Sequence, residues 1–167
     1  MKIYTRTGDT GETSLYGGTR ISKDALRVRC YGSVDEANCA LGVAAAHLDE
    51  DESVKEIVRH IQRKMFVVGA ELASDEAGAK QLKERIAAED IEYLEKLIDD
   101  LTEKQDRQKG FAMPGETVPS AFLHVARTMV RKTERHVVAL AKEECVSNLV
   151  LQYLNRLSDA LYVLAEG

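Results

Sequence analysis

The sequence predicts an all-α protein, an up-and-down bundle of five helices preceded by an extended Gly/Thr-rich segment. Three observations predict it. Apolar residues recur at intervals of three and four across most of residues 33–167. Strand signals are confined to short pieces near Lys2–Thr5 and Val28–Tyr31. The helical stretches are joined by short connections, the natural arrangement of a bundle.

The first helix is expected to begin at Ser33-Val34-Asp35-Glu36, which reads as a capping box. There Ser33 accepts from the helix start and Glu36 reaches back. Beyond it Val34, Leu41, Ala45 and Leu48 share one side. Residues 52–73 form a second helix, with Val54, Ile57, Val58, Ile61, Met65, Val68 and Leu72 at helical intervals. Residues 74–85 are polar, contain Gly78 and read as a mobile surface connection. A third helix near residues 88–105 carries Ile91, Leu94, Ile98 and Leu101. Two glycines and a proline in residues 106–117 break the pattern. A fourth helix near residues 118–143 buries Phe122, Val125, Met129, Val130, Val137 and Leu140. The fifth, from about residue 147, repeats Val150, Leu154, Leu157, Leu161 and Leu164. No internal repeat or domain boundary is visible, and 167 residues suffice for one core.

Charge narrows the possible functions. A net charge of −5 disfavours a general nucleic-acid binder. Residues 1–32 nonetheless hold six Lys and Arg against three acids, a net +3, which leaves −8 on the remainder. Positive charge is gathered around the segment that packs four glycines and six Ser/Thr hydroxyls into residues 5–19. Glycines let consecutive N–H groups turn toward one point, and hydroxyls and cations add donors, a combination that suits a polyphosphate. It is not a Walker loop, since no Gly-Lys-Ser/Thr stands at the required spacing. A flexible terminus with the same composition is the competing reading.

No apolar run spans a membrane and no signal-peptide pattern is present, so a cytoplasmic protein is expected. Cys30, Cys39 and Cys145 have neither metal-ligand spacing nor an even count, and Cys39 is expected as a small core residue. His47, His60, His124 and His136 are widely separated, and surface or half-buried positions are expected for them. No nucleophilic triad is evident, so a chemistry needing no protein nucleophile fits.

Arg127, Arg131 and Glu134 stand at i, i+4 and i+7, and so do Asn155, Asp159 and Tyr162 on the last helix. Lys132, Arg135 and Arg156 flank these stripes. A solvated, salt-bridged face is one reading. A binding face is the other, because Asn155-Arg156 interrupts the most apolar helix of the chain. Periodicity leaves the two even.

Three segments together resemble one family, over nearly the whole chain and in the right order. Thr5-Arg6-Thr7-Gly8-Asp9-Thr10-Gly11-Glu12-Thr13-Ser14-Leu15 with Lys23, then Tyr31-Gly32-Ser33-Val34-Asp35-Glu36, is similar to the N-terminal signature of PduO-type ATP:cob(I)alamin adenosyltransferases. Arg127-Thr128-Met129-Val130-Arg131-Lys132-Thr133-Glu134-Arg135 resembles that family's Arg-rich helix, and Tyr153-Leu154-Asn155-Arg156-Leu157-Ser158-Asp159 its last-helix motif.

The resemblance implies a ferritin-like five-helix bundle assembled as a homotrimer with active sites between subunits. It implies transfer of the 5′-deoxyadenosyl group of ATP, carried with Mg²⁺, to the cobalt of cob(I)alamin, with release of triphosphate. Residues 1–32 would be the nucleotide-binding segment and residues 33–167 the bundle of one adenosyltransferase domain. Carried over, Thr5, Arg6, Thr7, Gly8, Thr13, Ser14 and Lys23 would hold the triphosphate and nearby parts of ATP. Arg131, Lys132, Glu134, Arg135 and Asn155 would hold the nucleotide from the facing subunit. Asp35 and Arg127 resemble the family's inter-subunit ion pair beside the corrin. Phe111 matches the aromatic that packs under the corrin, and Tyr162 falls where another aromatic is usual. No protein ligand is implied for the metal. A corrinoid reductase and an adenosylcobalamin-dependent enzyme are the partners implied; a non-catalytic carrier of ATP or cobalamin is the alternative. The chain departs from the pattern at Lys132, Thr133 and Glu116, and stops at Gly167, earlier than many relatives.

Overall fold

The computed structural model describes residues 3–48, 51–104 and 113–167. Its elements run β1 (Glu12–Ser14), β2 (Arg20–Ser22), α1 (Leu26–Ala46), α2 (Glu52–Leu72), α3 (Glu76–Ala79), α4 (Ala88–Lys104), α5 (Val118–Leu140) and α6 (Asn148–Glu166). The all-α expectation holds. The five long helices are those read from the sequence, and a one-turn α3 makes six among the described residues. In space α2 packs on α1, α1 on α5, α5 on α6 and α6 on α4.

α1 lies between α2 and α5, which explains its composition. A helix covered on more than one side is apolar around much of its circumference. Val34, Ala37, Leu41, Ala44 and Ala45 are all buried, the alanines letting neighbouring backbones approach. The other helices carry single stripes, and Val58, Ile61, Met65, Val68, Leu94, Leu154, Leu157 and Leu161 are fully enclosed in the shared core.

Side chains set the starts of α2, α4 and α5. Asp51 accepts from the Val54 amide at 3.0 Å, and Thr117 from the Ser120 amide at 3.2 Å ahead of Pro119. Asp90 reaches back to the Ala87 amide at 3.0 Å and pairs with Lys64 of α2 at 2.8 Å. Glu71 accepts from the Ile86 amide at 2.7 Å, and its burial raises its pKa. Residues 74–87 are thus tied to α2 at both ends.

Four expectations are corrected. α1 begins at Leu26, seven residues before the capping box, and Val28–Tyr31 is helical. Leu26, Cys30, Val34 and Leu41 continue one inward stripe, so tertiary burial overrides local strand preference. Ser33 is buried inside the helix and its hydroxyl donates to the Cys30 carbonyl at 2.8 Å, a back-bond and not a cap. Ile3–Thr5 is not strand, and the two short strands instead flank the glycine pair Gly17-Gly18. Within the polar connection of residues 74–85, Ser74 and Gly78 are buried. Two side chains also face the other way. Cys39 is exposed, on the outward side of α1 with Asp35 and Val43, and Val125 is 41% exposed.

Leu161→Ala, fully enclosed on the inner face of α6, should lower the unfolding free energy by about 2–5 kcal/mol in denaturant titration, through lost burial and the cavity left behind.

Candidate functional site

The Gly/Thr-rich segment folds as an antiparallel hairpin, with Glu12 opposite Ser22, Thr13 opposite Ile21 and Ser14 opposite Arg20. Among residues 3–25 only Leu15 is buried, so polar contacts must fix the hairpin's shape. Arg20 is its internal brace. Its guanidinium donates to the Thr7 carbonyl at 2.9 Å and the Ser14 hydroxyl at 3.2 Å, and pairs with Glu12 at 3.4 Å. The Lys23 amide donates to the Gly11 carbonyl at 2.9 Å, and Thr5 and Thr7 share a hydroxyl hydrogen bond of 2.8 Å. Arg6 has a positive φ of 63° and stacks its guanidinium over Tyr4. The Lys23 ammonium stands over Gly8, where a Cβ would come within 3.0 Å of Nζ. Exposed hydroxyls, amides and the Arg6 and Lys23 cations are therefore collected on one open end of the hairpin.

Arg27 plays a different part. Its Nη1 donates to the Leu72 and Ser74 carbonyls at 2.9 and 3.3 Å, and its Nε to Glu144 at 2.7 Å. It ties the end of α2 to α1 and is committed to structure. Cys30, one turn on, is buried, and that burial raises its thiol to about 11 despite the nearby Arg27. It is an inert core residue.

The polar stripes of α5 and α6 meet at two points. The Asn155 amide donates to Glu134 at 2.9 Å, and Arg127 lies over the Tyr162 ring with its guanidinium carbon 5.9 Å from the centroid. Arg127 is further held by His124, whose Nδ1 accepts from the Arg127 Nε at 3.3 Å. His124 Nε2 is 3.0 Å from Glu166, so the ring is the tautomer that donates there. This carboxylate–imidazole–guanidinium chain was not legible in the sequence. His124 is only 4% exposed, against the expected surface or half-buried position. Arg131, Arg135, Asn155 and Asp159 face solvent. Arg135 donates to the Arg131 carbonyl at 3.0 Å, and Arg156 pairs with Glu95 of α4 at 2.8 Å. Lys132 is engaged by Glu36 of α1.

Between α1 and α2 lies an open cleft of ≈ 220 Å³. Tyr31, Val34, Met65, Phe66, Gly69 and Ala70 make its walls apolar, and Asp35 and Asn38 supply its polar atoms. Phe66, in its wall, is 69% exposed, a large apolar surface left to solvent. Among the described residues no ion pair joins Asp35 to Arg127. Phe111 lies outside the described residues.

Among the described residues no group of three or more His, Cys, Asp or Glu could hold a metal ion, and no helix is long and apolar enough to cross a membrane. The described surface thus offers a hydroxyl-rich, cationic hairpin, an arginine-bearing face on α5 and an apolar cleft with one carboxylate between α1 and α2.

Comparison with known proteins gives the family. Residues 3–166 match the model of the cobalamin adenosyltransferase family, and the chain belongs to that family. A corrinoid adenosyltransferase of Citrobacter freundii is 47% identical over 98% of this chain and 93% of its own length. The corrinoid adenosyltransferase PduO of Salmonella typhimurium is 42% identical over the whole chain, which covers 49% of that longer protein. A variant PduO-type ATP:corrinoid adenosyltransferase from Lactobacillus reuteri, solved with cobalamin and ATP, superposes with a TM-score of 0.90 at 34% identity, covering 98% of this chain and 91% of that one.

The Lys132–Glu36 pair is 40% and 54% exposed at its two side chains and is well screened. Lys132→Met should therefore cost less than about 1 kcal/mol of stability in chemical denaturation.

Proposed function

We propose that this chain transfers the 5′-deoxyadenosyl group of ATP to the cobalt of cob(I)alamin, giving adenosylcobalamin and triphosphate. The match to the cobalamin adenosyltransferase family over residues 3–166 is the observation that carries this reading. In the reaction the Co(I) electron pair attacks the ribose C5′, a Co–C bond forms, and the C5′–O bond breaks with its electrons leaving on triphosphate. The metal is the nucleophile, so the protein need not provide one. Its work is alignment and charge compensation.

On this reading Thr5, Arg6, Thr7, Gly8, Thr13, Ser14 and Lys23 hold the triphosphate, whose leaving charge their donors and cations offset. Mg²⁺ travels with the phosphates on phosphate and water oxygens. Arg131, Lys132, Glu134, Arg135 and Asn155 grip the nucleotide from the neighbouring subunit. The exposure of Arg131 and the preset Glu134–Asn155 bond support that role. The corrin lies against the apolar cleft beside Asp35, with Phe111 beneath it and Tyr162 close by. Asp35 pairs across the interface with Arg127, which the Glu166–His124 chain already orients. The assembly is a homotrimer with sites between subunits, in the cytoplasm, supplied by a corrinoid reductase and serving an adenosylcobalamin-dependent enzyme. Residues 1–167 act as one adenosyltransferase domain.

ATP with chemically reduced cobalamin should yield adenosylcobalamin and triphosphate in equal amounts. Phosphate or pyrophosphate as product would overturn the reaction assignment, and tight binding of both ligands without turnover would favour a carrier. Arg131→Ala should lower kcat/KM for ATP by about 30-fold, or 2 kcal/mol, as expected for a charge-assisted phosphate contact. Phe111→Ala should impair turnover from cob(II)alamin more than from pre-reduced cob(I)alamin, and steady-state assays from the two starting states compare them.

A further inference from the structure

The turn of the hairpin is fastened to the segment after α2 by a continuous set of bonds. The Tyr16 amide donates to the Ala73 carbonyl at 2.9 Å, and the Asp75 amide donates back to the Tyr16 carbonyl at 3.0 Å, closing a parallel bridge between Tyr16 and Ser74. Asp75 then divides its carboxylate. Oδ2 accepts from the Thr19 amide at 2.9 Å, and Oδ1 accepts from the Gly78 amide at 2.8 Å. Two glycines make the contact possible. A Cβ on Gly17 would lie 1.7 Å from Asp75 Oδ1, and one on Gly78 would lie 1.7 Å from the Tyr16 carbonyl oxygen. From Thr19 the chain passes directly to Arg20, whose guanidinium holds the Thr7 carbonyl at 2.9 Å at the other end of the hairpin.

We propose that Asp75 is a positioning residue for ATP: it locks the hairpin turn onto the bundle and so fixes, through Thr19 and Arg20, where the Thr5–Gly8 donors stand. This rests on the reading of that hairpin as nucleotide-binding. Leu15 is the segment's one buried residue, so polar bonds do most to set its orientation. A carboxylate presents two acceptor oxygens, one for each element, where the amide of asparagine presents one. Hydrogen bonds from the Thr19 hydroxyl and from the Gly78 and Thr19 amides hold the Asp75 carboxyl down at about 2. The lock is therefore closed throughout the neutral range. A depressed carboxyl stabilises fully above its ordinary value and loses that contribution as pH falls toward 2.

Asp75→Ala should raise KM for ATP by about tenfold or more while kcat at saturating ATP and KM for cob(I)alamin change by less than about twofold. Asp75→Asn, which keeps one acceptor, should fall between the two. Gly78→Ala approaches the same contact from the other side and should reproduce the ATP defect with the carboxylate intact. Hydrogen exchange without nucleotide should show the Thr19, Tyr16 and Gly78 amides exchanging faster in Asp75→Ala, with the core of α6 unchanged. If Asp75→Ala and Gly78→Ala are folded and both keep the parent KM for ATP, the proposal is overturned while the proposed reaction stands. If the parent protein itself fails to bind Mg-ATP in titration calorimetry, both fall together.

Discussion

The enclosure of α1 between α2 and α5 is the constraint on which the rest depends. Because α1 packs on both, its position is fixed by two interfaces, and much of the candidate surface is referenced to it. The hairpin enters at its N-terminal end, where Arg27 binds the carbonyls that end α2. Asp35 and Asn38 line the cleft partway along it. Glu36 reaches across to Lys132 of α5. A rigid helix carrying groups toward both neighbours keeps them in register more strictly than loops would. The buried alanines serve that rigidity, since close backbone approach leaves little room for one helix to slide on the next.

Against this rigid frame stands a hairpin with almost no core. Its composition is what a phosphate cradle needs, and it is also what a disordered end looks like. The difference lies in anchoring. Arg20 spends its donors inside the hairpin, Arg27 spends its donors on α2, and Asp75 joins the hairpin to the bundle. Among the described residues Arg6 and Lys23 make no such commitment to a carboxylate. The net positive charge of the N-terminal region thus divides into cations that build the cradle and cations that face outward from it. A count of residues by type could not make that division, because it depends on where each guanidinium ends.

The legible part of the fold was the part governed by a single period. α2, α4 and α6 each bury one stripe, and the residues read from that stripe on α6 are all buried. The less legible parts each have a physical reason. The start of α1 hid because Val28–Tyr31 is locally strand-like and the helix is apolar on several sides, which blurs its period. Cys39 was misplaced because small residues on α1 point both inward and outward. The strands escaped because they are three residues long and polar, held by turn geometry and not by alternation. The latch at Asp75 spans 56 residues of sequence and has no local signature. Of the candidate site, the motif residues were readable from resemblance. His124 and Glu166, which aim Arg127, were not, since a lone histidine facing one carboxylate 42 residues away leaves no pattern.

Lys132 illustrates how an unpaired reading of a motif differs from a packed one. An arginine there would offer a planar fork to phosphate, whereas lysine offers a point charge. In this chain that point charge already has a carboxylate neighbour in Glu36, on the helix that also carries Asp35. Engagement by Glu36 draws the Lys132 ammonium across to α1, where it stands as one half of a pair and not as a bare cation. Asp35 and Glu36 are consecutive on α1, and consecutive helical residues point to different faces: Asp35 lines the α1–α2 cleft, whereas Glu36 reaches Lys132 of α5. The Lys132–Glu36 pair and the carboxylate of the cleft therefore serve different neighbours of the same helix.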